Sequence, residues 1–490
     1  MRSADLDPGR ESRVGLPTKL SFGIGASAEA SIGIIFSTFN FLFYNRVLGL
    51  SGTLCGLAVT IALLFDGISD PLVGSVSDRL RSRLGRRHPF LYASALPLGV
   101  CFAAIYAPPE GLGETGLFLW LTTFTVLLRT FLTFYHVPHL ALGAELSRDY
   151  RERSVIMSYN AIFAVMGGAG ASYLAWTYFG TLPEGTLGRG GYGVMGVVIG
   201  GFAAGIVLLS AHGTRSVIPR MTRVPADLPP WRPGAFAAEL AGCLRNPNYQ
   251  SLLLGLVFLS ALLGTRETLH SYVNLFFWEL PEQHIRFFGL ASPPGYLLAF
   301  LLAARLHTWF DKRETIIAAT TLTAVASILP IALRMLGWFP ENGAEALFPW
   351  LLAAHFAFYA GIALLNISVL SALADVADEH ELLTGRRQEG VFYAARTLFG
   401  KMTSGVGHLL AGVALDLIIL LPERAVPGEV DADVIWRLGL IEGPVAAVPA
   451  FVAIAFYGRY RIDRESHRRI GEALRRQAPP VEPSIAASSS

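Results

Sequence analysis

Charge is scarce in this sequence. Only 16% of its 490 residues are Asp, Glu, Lys or Arg, against about 25% in a typical soluble domain. With 52% hydrophobic residues and a mean hydropathy of +0.47, a water-soluble globular chain is excluded. Cysteine is scarce as well: Cys55, Cys101 and Cys243 are the only three. None stands in the pair spacing of a metal site or a disulfide framework, so they read as small apolar filler. Lysine is almost missing, with three against 36 arginines, which makes each lysine position informative. No apolar stretch precedes residue 20, so no cleaved signal peptide is expected and the first apolar run serves as the insertion signal. The formal net charge of +2 offers no basic excess for a nucleic-acid partner.

What is present is a series of apolar runs about 20 residues long, the length a helix needs to cross a bilayer. Twelve are expected, near 20–44, 53–77, 90–107, 117–146, 155–180, 192–212, 249–273, 287–304, 315–336, 347–373, 391–421 and 438–457. The polar stretch GTRSVIPRMTRVPADLPPWRPG falls between the sixth and the seventh. The expected class is therefore an all-α membrane protein of 12 transmembrane helices in two six-helix bundles. The expected divisions are a disordered N-terminus over 1–18, a first bundle over 19–212, a linker over 213–248, a second bundle over 249–457 and a tail over 458–490. The end of that tail, Gln477 to Ser490, is rich in Pro, Ala and Ser and reads as disordered. The halves echo each other: SDRLRSRLGRRHP joins spans two and three, and RLHTWFDKRE joins spans eight and nine. Internal repeats of this kind mark secondary transporters, with a substrate site at the midplane between repeats. Both termini and the even-to-odd connections hold 29 of the 39 Lys and Arg, and the opposite connections hold six. The positive-inside rule then puts both termini in the cytoplasm.

Several polar residues interrupt the apolar runs. A carboxylate at the middle of a membrane helix costs roughly 2.5–3.5 kcal/mol on insertion scales. Asp66 and Asp70 are spaced i, i+4 and share one helix face. Two anions so close call for a proton or a cation between them. Ser69 and Thr133 add hydroxyl oxygens, and hard cations such as sodium take oxygen ligands. Counting 1.5 Å per residue from the helix ends puts Glu29, Asp66, Asp70, Thr133, His136 and Lys401 at one depth, near the bilayer centre. They outline a central polar cavity. Lys401 can exchange its proton or pair with an aspartate, since a buried lysine shifts its protonation more readily than an arginine. Arg396 and Thr397 lie nearer the helix end and are candidates for substrate contact. Plainer roles stay open: a cap or kink at Asp70-Pro71, a packing role for His136, a structural ion pair for Glu29, and a counter-ion role for Lys401. At the arginine-rich end, Asp78, Arg86, Glu145, Arg153, Asp375 and Arg386 are candidate gate residues, although the arginines there also suffice to set topology. His355, His408 and Asp416 are scattered and read as structural.

These segments together carry a resemblance. KLSFGIGASAE, DGISDPLVGSVSDRLRSRLGRRHPF, YHVPHLALGAELSRDYRERS, ALADVADEHELLTGRRQEGVFYAARTLFGK and YRIDRESHRRI resemble the glycoside–pentoside–hexuronide:cation symporters, the melibiose permease-like group of the major facilitator superfamily. The resemblance runs from about residue 19 to 475. It implies that Asp66, Asp70, Ser69 and Thr133 bind the coupling cation, and that Lys401 lies beside both the cation and the sugar. The sugar-binding pattern departs. A span-one aspartate aligns at Ala30, with Glu29 before it. A span-four aspartate aligns at His136, a span-five arginine near Asn160 and Ala161, and a stacking tryptophan near Leu140. YHVP together with the span-eleven lysine is closer to the sodium-dependent lysophosphatidylcholine symporters.

The resulting expectation is a non-enzymatic symporter of the bacterial inner membrane, carrying its solute by alternating access, with Na+ or H+ as coupling ion and no cofactor. Glu29, His136, Arg396, Thr397 and Lys401 line the substrate space, and Asp66 and Asp70 hold the metal ion if sodium couples. The solute is glycoside-like; a lysolipid is the alternative. The partners are a small molecule and the lipid bilayer, and the chain is expected to be monomeric. An intramembrane aspartate enzyme fits poorly, because both carboxylates share one helix; a non-transporting sensor lacks any attached soluble domain.

Overall fold

The computed structural model describes residues 14–147, 149–220, 233–386, 388–422 and 425–477. The expected disordered segments at the two ends fall mostly outside them, over 1–13 and 478–490. Twelve helices are long and apolar enough to cross a membrane: α1 Leu16–Val47, α2 Gly52–Arg79, α3 His88–Ile105, α4 Glu114–Glu145, α5 Arg151–Phe179, α6 Gly190–Pro219, α7 Pro247–Phe277, α8 Glu282–Trp309, α9 Lys312–Met335, α10 Leu347–Thr384, α11 Glu389–Ile419 and α12 Ala432–Tyr457. No strand occurs among the described residues. Large apolar side chains such as Leu96, Leu174 and Phe300 stay exposed on outer faces, as a lipid-facing surface requires.

Caps fix several helix starts. Ser51 Oγ accepts from Leu54 N (3.3 Å), Asp149 Oδ1 from Glu152 N (2.8 Å) and Asn246 Oδ1 from Tyr249 N (2.9 Å). Each satisfies an orphan first-turn amide. Asp70-Pro71 is neither a cap nor a helix end, since α2 continues through Pro71 to Arg79. α10 runs eleven residues past its expected end at Leu373, to Thr384. The polar segment from Asp375 onward continues the helix beyond the apolar run, and Gly385 stops it with φ of +68°. Two shorter helices, Pro233–Cys243 and Arg464–Gln477, lie in the stretches expected to be linker and tail.

The packing is twofold in pattern. In the first half α1 packs on α5 and α6, α3 on α4 and α6, and α2 on α4. In the second half α7 packs on α11 and α12, α9 on α10 and α12, and α8 on α10. Each contact recurs six helices later, so the chain forms two six-helix bundles related by a pseudo-twofold axis. The C-terminal ends of α1 and α7 repeat the relation atom by atom. Leu48 N donates to Phe43 O and Leu50 N to Tyr44 O, while Trp278 N donates to Val273 O and Leu280 N to Asn274 O. Gly49 (φ +76°) in the first turn is matched by Glu279 (φ +50°) in the second, a left-handed conformation that glycine adopts more readily. The bundles meet along α2–α11, α1–α7 and α5–α8. At the α2–α11 seam Thr60 Oγ1 donates to Gly405 O at 2.7 Å, and glycines bring the backbones close. A methyl at Gly56 would stand 2.7 Å from His408 O.

Candidate functional site

Asp66 and Asp70 share the face of α2 that their spacing predicts, and that face meets α4 and α11. Lys401 Nζ from α11 lies 2.8 Å from Asp66 Oδ2 and 2.6 Å from Asp70 Oδ2. The ammonium therefore bridges the two carboxylates, and it does so from the opposite bundle. Thr133 Oγ1 from α4 lies 2.7 Å from Asp66 Oδ1 and 3.0 Å from Asp70 Oδ1. Its single hydrogen serves one carboxylate at a time. Ser69 is peripheral: its hydroxyl donates to the Asp66 carbonyl at 3.1 Å and lies 3.5 Å from Thr133 Oγ1. Asp66 is 5% exposed in its side chain, Asp70 19% and Lys401 25%, so the cluster is buried on one side and open to a cavity on the other.

One member escaped the sequence reading. Arg129 Nη1 lies 3.8 Å from Asp66 Oδ2, and its guanidinium stands over Phe36 at 5.8 Å. Its signal was present: Arg129, Thr133 and His136 follow i, i+4, i+7 and form one stripe of α4. Two carboxylates, an ammonium and a guanidinium make the cluster electrically balanced without any further ion.

A second pair stands next to it. His136 Nδ1 is 2.5 Å from Glu29 Oε2, joining α4 to α1. Both line a chamber of about 420 Å³ with Arg129 and Asn160. His139, also unforeseen, is buried behind them, stacked on Phe22 with centroids 4.3 Å apart and 3.1 Å from Asn160 Oδ1. A chamber of about 340 Å³ leads on from there. It shares Gly33, Phe36 and Arg129 with the first and reaches Lys401, Glu267 and His408.

Other expected residues stand apart from these chambers. Arg396 Nη2 donates to Asn366 Oδ1 at 3.1 Å, and Thr397 Oγ1 donates to the Tyr393 carbonyl; neither joins the Lys401 cluster. The residues singled out at the arginine-rich end form separate groups. Arg87, one of the arginines of this end, binds two of them: its Nη2 contacts Asp78 Oδ1 (2.5 Å) and Glu145 Oε1 (2.8 Å), and Arg86 Nη2 reaches the same Glu145 oxygen at 2.8 Å. All four belong to the first bundle. Arg153 Nε donates to the Ser147 carbonyl at 2.7 Å. Asp375, in the second bundle, contacts Lys312 Nζ (2.6 Å), His467 Nδ1 (3.1 Å) and Tyr460 Oη (3.3 Å). Arg386 is exposed, and its backbone N–H donates to Thr384 Oγ1.

The opposite end joins the two bundles. Asp416 of α11 accepts from Ser51 Oγ (2.9 Å), Gly52 N (2.9 Å), Thr53 N (2.8 Å) and Thr53 Oγ1 (2.7 Å). A carboxylate of the second bundle thus caps the N-terminus of α2, where the helix dipole favours an anion. Tyr272 Oη donates to Asn45 Oδ1 (2.9 Å), Ser271 Oγ to the Thr38 carbonyl (2.9 Å), and Arg46 to the carbonyls of Leu421 and Pro422.

Similarity to known proteins agrees with this architecture. Residues 21–464 match the family described as MFS/sugar transport protein. The putative glycoside/cation symporter YagG of Escherichia coli strain K12 is 24% identical, over 80% of this chain and 81% of that one. The sodium-dependent lysophosphatidylcholine symporter 1 of Gallus gallus is 24% identical, over 95% of this chain and 90% of its own length. Among solved structures, a variant of the nucleoside transporter NupG superposes with a TM-score of 0.62 at 15% identity, covering 90% of this chain and 99% of the other. That likeness is one of fold. With the family match spanning nearly all of both bundles, the chain belongs to the MFS/sugar transport protein family.

Proposed function

We propose that this protein is a secondary transporter that carries a glycoside-like polar solute together with a cation by alternating access. The observation that carries the reading is the Asp66–Asp70–Lys401 bridge. It pairs acids of one bundle with a base of the other, at the level of the central chambers. A coupling cation, Na+ or H+, enters by displacing the ammonium from the carboxylates, with Thr133 and Ser69 supplying oxygens. Displacement frees α11 to move against α2. Glu29, His136 and Lys401 face the solute, and Arg129 completes that face. Arg396 and Thr397 take part only in a conformation that brings them toward the chambers.

The arginine-rich end is assigned to the cytoplasm of a bacterial inner membrane, with both termini there. The rocking units are residues 19–212 and 249–457, joined by 213–248, and one chain suffices. In this conformation the far end is latched by Asp416, while the named ion pairs of the arginine-rich end stay within their own bundles. That is the arrangement of a state open to the cytoplasm. Asp78, Arg86, Glu145, Arg153, Asp375 and Arg386 would exchange partners when this end closes. No chemistry is assigned to the two carboxylates, because a lysine bridges them and they offer no facing pair around a scissile bond.

A second reading concerns the solute. A chamber between α5, α8 and α10 has, on its α5 side, a wall of Ala161, Ala164, Val165, Gly168 and Ala169, with Tyr296 and Tyr359 opposite. Such an apolar, small-residue wall suits the chain of a lysolipid. Uptake into proteoliposomes separates the two. With an imposed Na+ or H+ gradient, methyl and aryl glycosides should accumulate and lysophosphatidylcholine should not. Uptake indifferent to both gradients would overturn cation coupling.

A further inference from the structure

A cavity of about 460 Å³ lies apart from the one at Glu29 and His136. It lies between α1 and α5 of the first bundle and α7, α8 and α10 of the second, and shares Ser37 and Glu267 with the Lys401 chamber. From Glu29 to Ser37 is eight residues of α1, a rise of about 12 Å. The cavities therefore follow one another toward the latched end.

The wall of this cavity holds charge that the cation reading does not use. Arg266 of α7 donates through Nη1 to Glu442 Oε1 at 2.8 Å, and its guanidinium stands over Phe358 at 4.6 Å. Glu442 is 1% exposed. His270 Nε2 lies 2.8 Å from His355 Nε2, and His355 is stacked on Phe288 with centroids 3.9 Å apart. Asn274 is 2% exposed and lines the same cavity, and its Oδ1 has no hydrogen-bond partner among the described residues. Arg266, His270 and Asn274 are spaced i, i+4, i+8, so α7 presents one polar stripe to the space. A buried ion pair that only held helices together would be sealed from the cavity; Arg266 and His270 line it. Facing the stripe are the aromatic rings of Trp176, Tyr296 and Tyr359.

We infer that this cavity is a second solute subsite, which takes an uncharged ring carried by the glycoside while Glu29 and His136 hold its first sugar. The inference rests on the transport reading above and narrows the substrate class to solutes of two rings or more. The guanidinium is already neutralised by Glu442, so it offers hydrogen bonds rather than net charge, and Glu267, which also lines the cavity, disfavours an anionic ring. Aromatic faces pack against a ring, while Asn274 Oδ1 accepts a hydrogen bond from its rim and Arg266 donates one.

Maleimide labelling of single introduced cysteines tests it in the full-length protein. Ala30→Cys reports the Glu29 chamber and Ile362→Cys the proposed subsite; the native cysteines are buried. The probes are methyl and 4-nitrophenyl glycosides of glucose, galactose and xylose. For at least one sugar, both forms should slow labelling at Ala30→Cys, and only the nitrophenyl form should slow it at Ile362→Cys, by tenfold or more at saturation. Tyr359→Ala should weaken binding of that nitrophenyl glycoside about tenfold and leave the methyl glycoside unchanged. Protection at Ala30→Cys alone removes the subsite and spares the transport reading. Equal protection of both cysteines by both forms means occlusion and also removes it. Protection at neither position overturns the glycoside reading together with the subsite.

Discussion

Replacing Lys401 by methionine is the most direct test of the displacement mechanism. Thr133 Oγ1 is 2.7 Å from one carboxylate and 3.0 Å from the other, so two of their oxygens lie within about 6 Å. At an effective dielectric of about 20, two unit charges at that distance repel by about 3 kcal/mol. In the native protein the ammonium at 2.8 and 2.6 Å cancels this repulsion; Arg129, at 3.8 Å from Asp66 alone, does so only partly. A sodium ion entering the native site must first remove the ammonium. In Lys401→Met it meets two acids that Arg129 compensates only in part. Sodium should therefore bind the variant about 10- to 100-fold more tightly, a gain of about 1.4–2.7 kcal/mol, while solute uptake falls because the bundles lose their reciprocal charge. Isothermal titration of purified protein with NaCl in choline-balanced buffer measures the affinity, and a thermal-unfolding series measures the linked stabilisation. Saturation at 100 times Kd should add about 2.7 kcal/mol. If the variant binds sodium no better than the native chain, the lysine does not compete with sodium and displacement by that ion is refuted.

Four further outcomes are expected. Asp66→Asn should abolish gradient-driven uptake while inserting normally, checked by transport in proteoliposomes and by membrane yield; full coupled uptake would remove Asp66 from the cation site. Asp416→Ala breaks four hydrogen bonds to the start of α2, each worth about 1 kcal/mol or more net, and should shift the population at least tenfold toward the conformation open at that end, read by labelling from that side of Leu415→Cys, buried at the same seam. Gly56→Leu cannot fit, since even its Cβ would stand 2.7 Å from His408 O; it should lower both expression and thermal stability, whereas Gly33→Ala, which meets nothing within 4 Å, should be neutral. Cys243, in the helix Pro233–Cys243, is fully buried, and burial pushes its thiol up to about 11; with Cys55 and Cys101 buried too, the native chain should resist maleimide at pH 7.5 and react once denatured.

The helices were legible because hydrocarbon enforces a simple rule: the backbone must satisfy itself, so each span is written as an apolar run of the right length. What that rule does not govern was harder to read. The outer turns of α10 leave the apolar region, and so run to Thr384 without a hydropathy signal. The helix Arg464–Gln477 is held through contacts such as Arg464 Nε to Asp311 Oδ1 at 3.1 Å, and its composition alone looks like tail. For the central residues, counting from helix ends gave depth but not azimuth. Depth grouped Asp66, Asp70, Thr133 and Lys401, which do meet. It left out Arg129, although its i, i+4 relation to Thr133 was readable. Arg266 and Glu442 were unreadable as a pair, because 176 residues separate them and only the docking of α7 on α12 brings them together. Proline at position 71 was ambiguous in the sequence; tertiary packing around α2 decides for a continuous helix.

The seam between α2 and α11 has a mechanical implication. Its glycines set two backbones nearly in touch, and the acid–base bridge is mounted a few turns along the same two rods. A small swing about that contact is therefore felt directly as a change in the gap between ammonium and carboxylates. No intervening chain of residues is needed to inform one half of the molecule what the other has bound: the fulcrum and the detector are the same pair of helices.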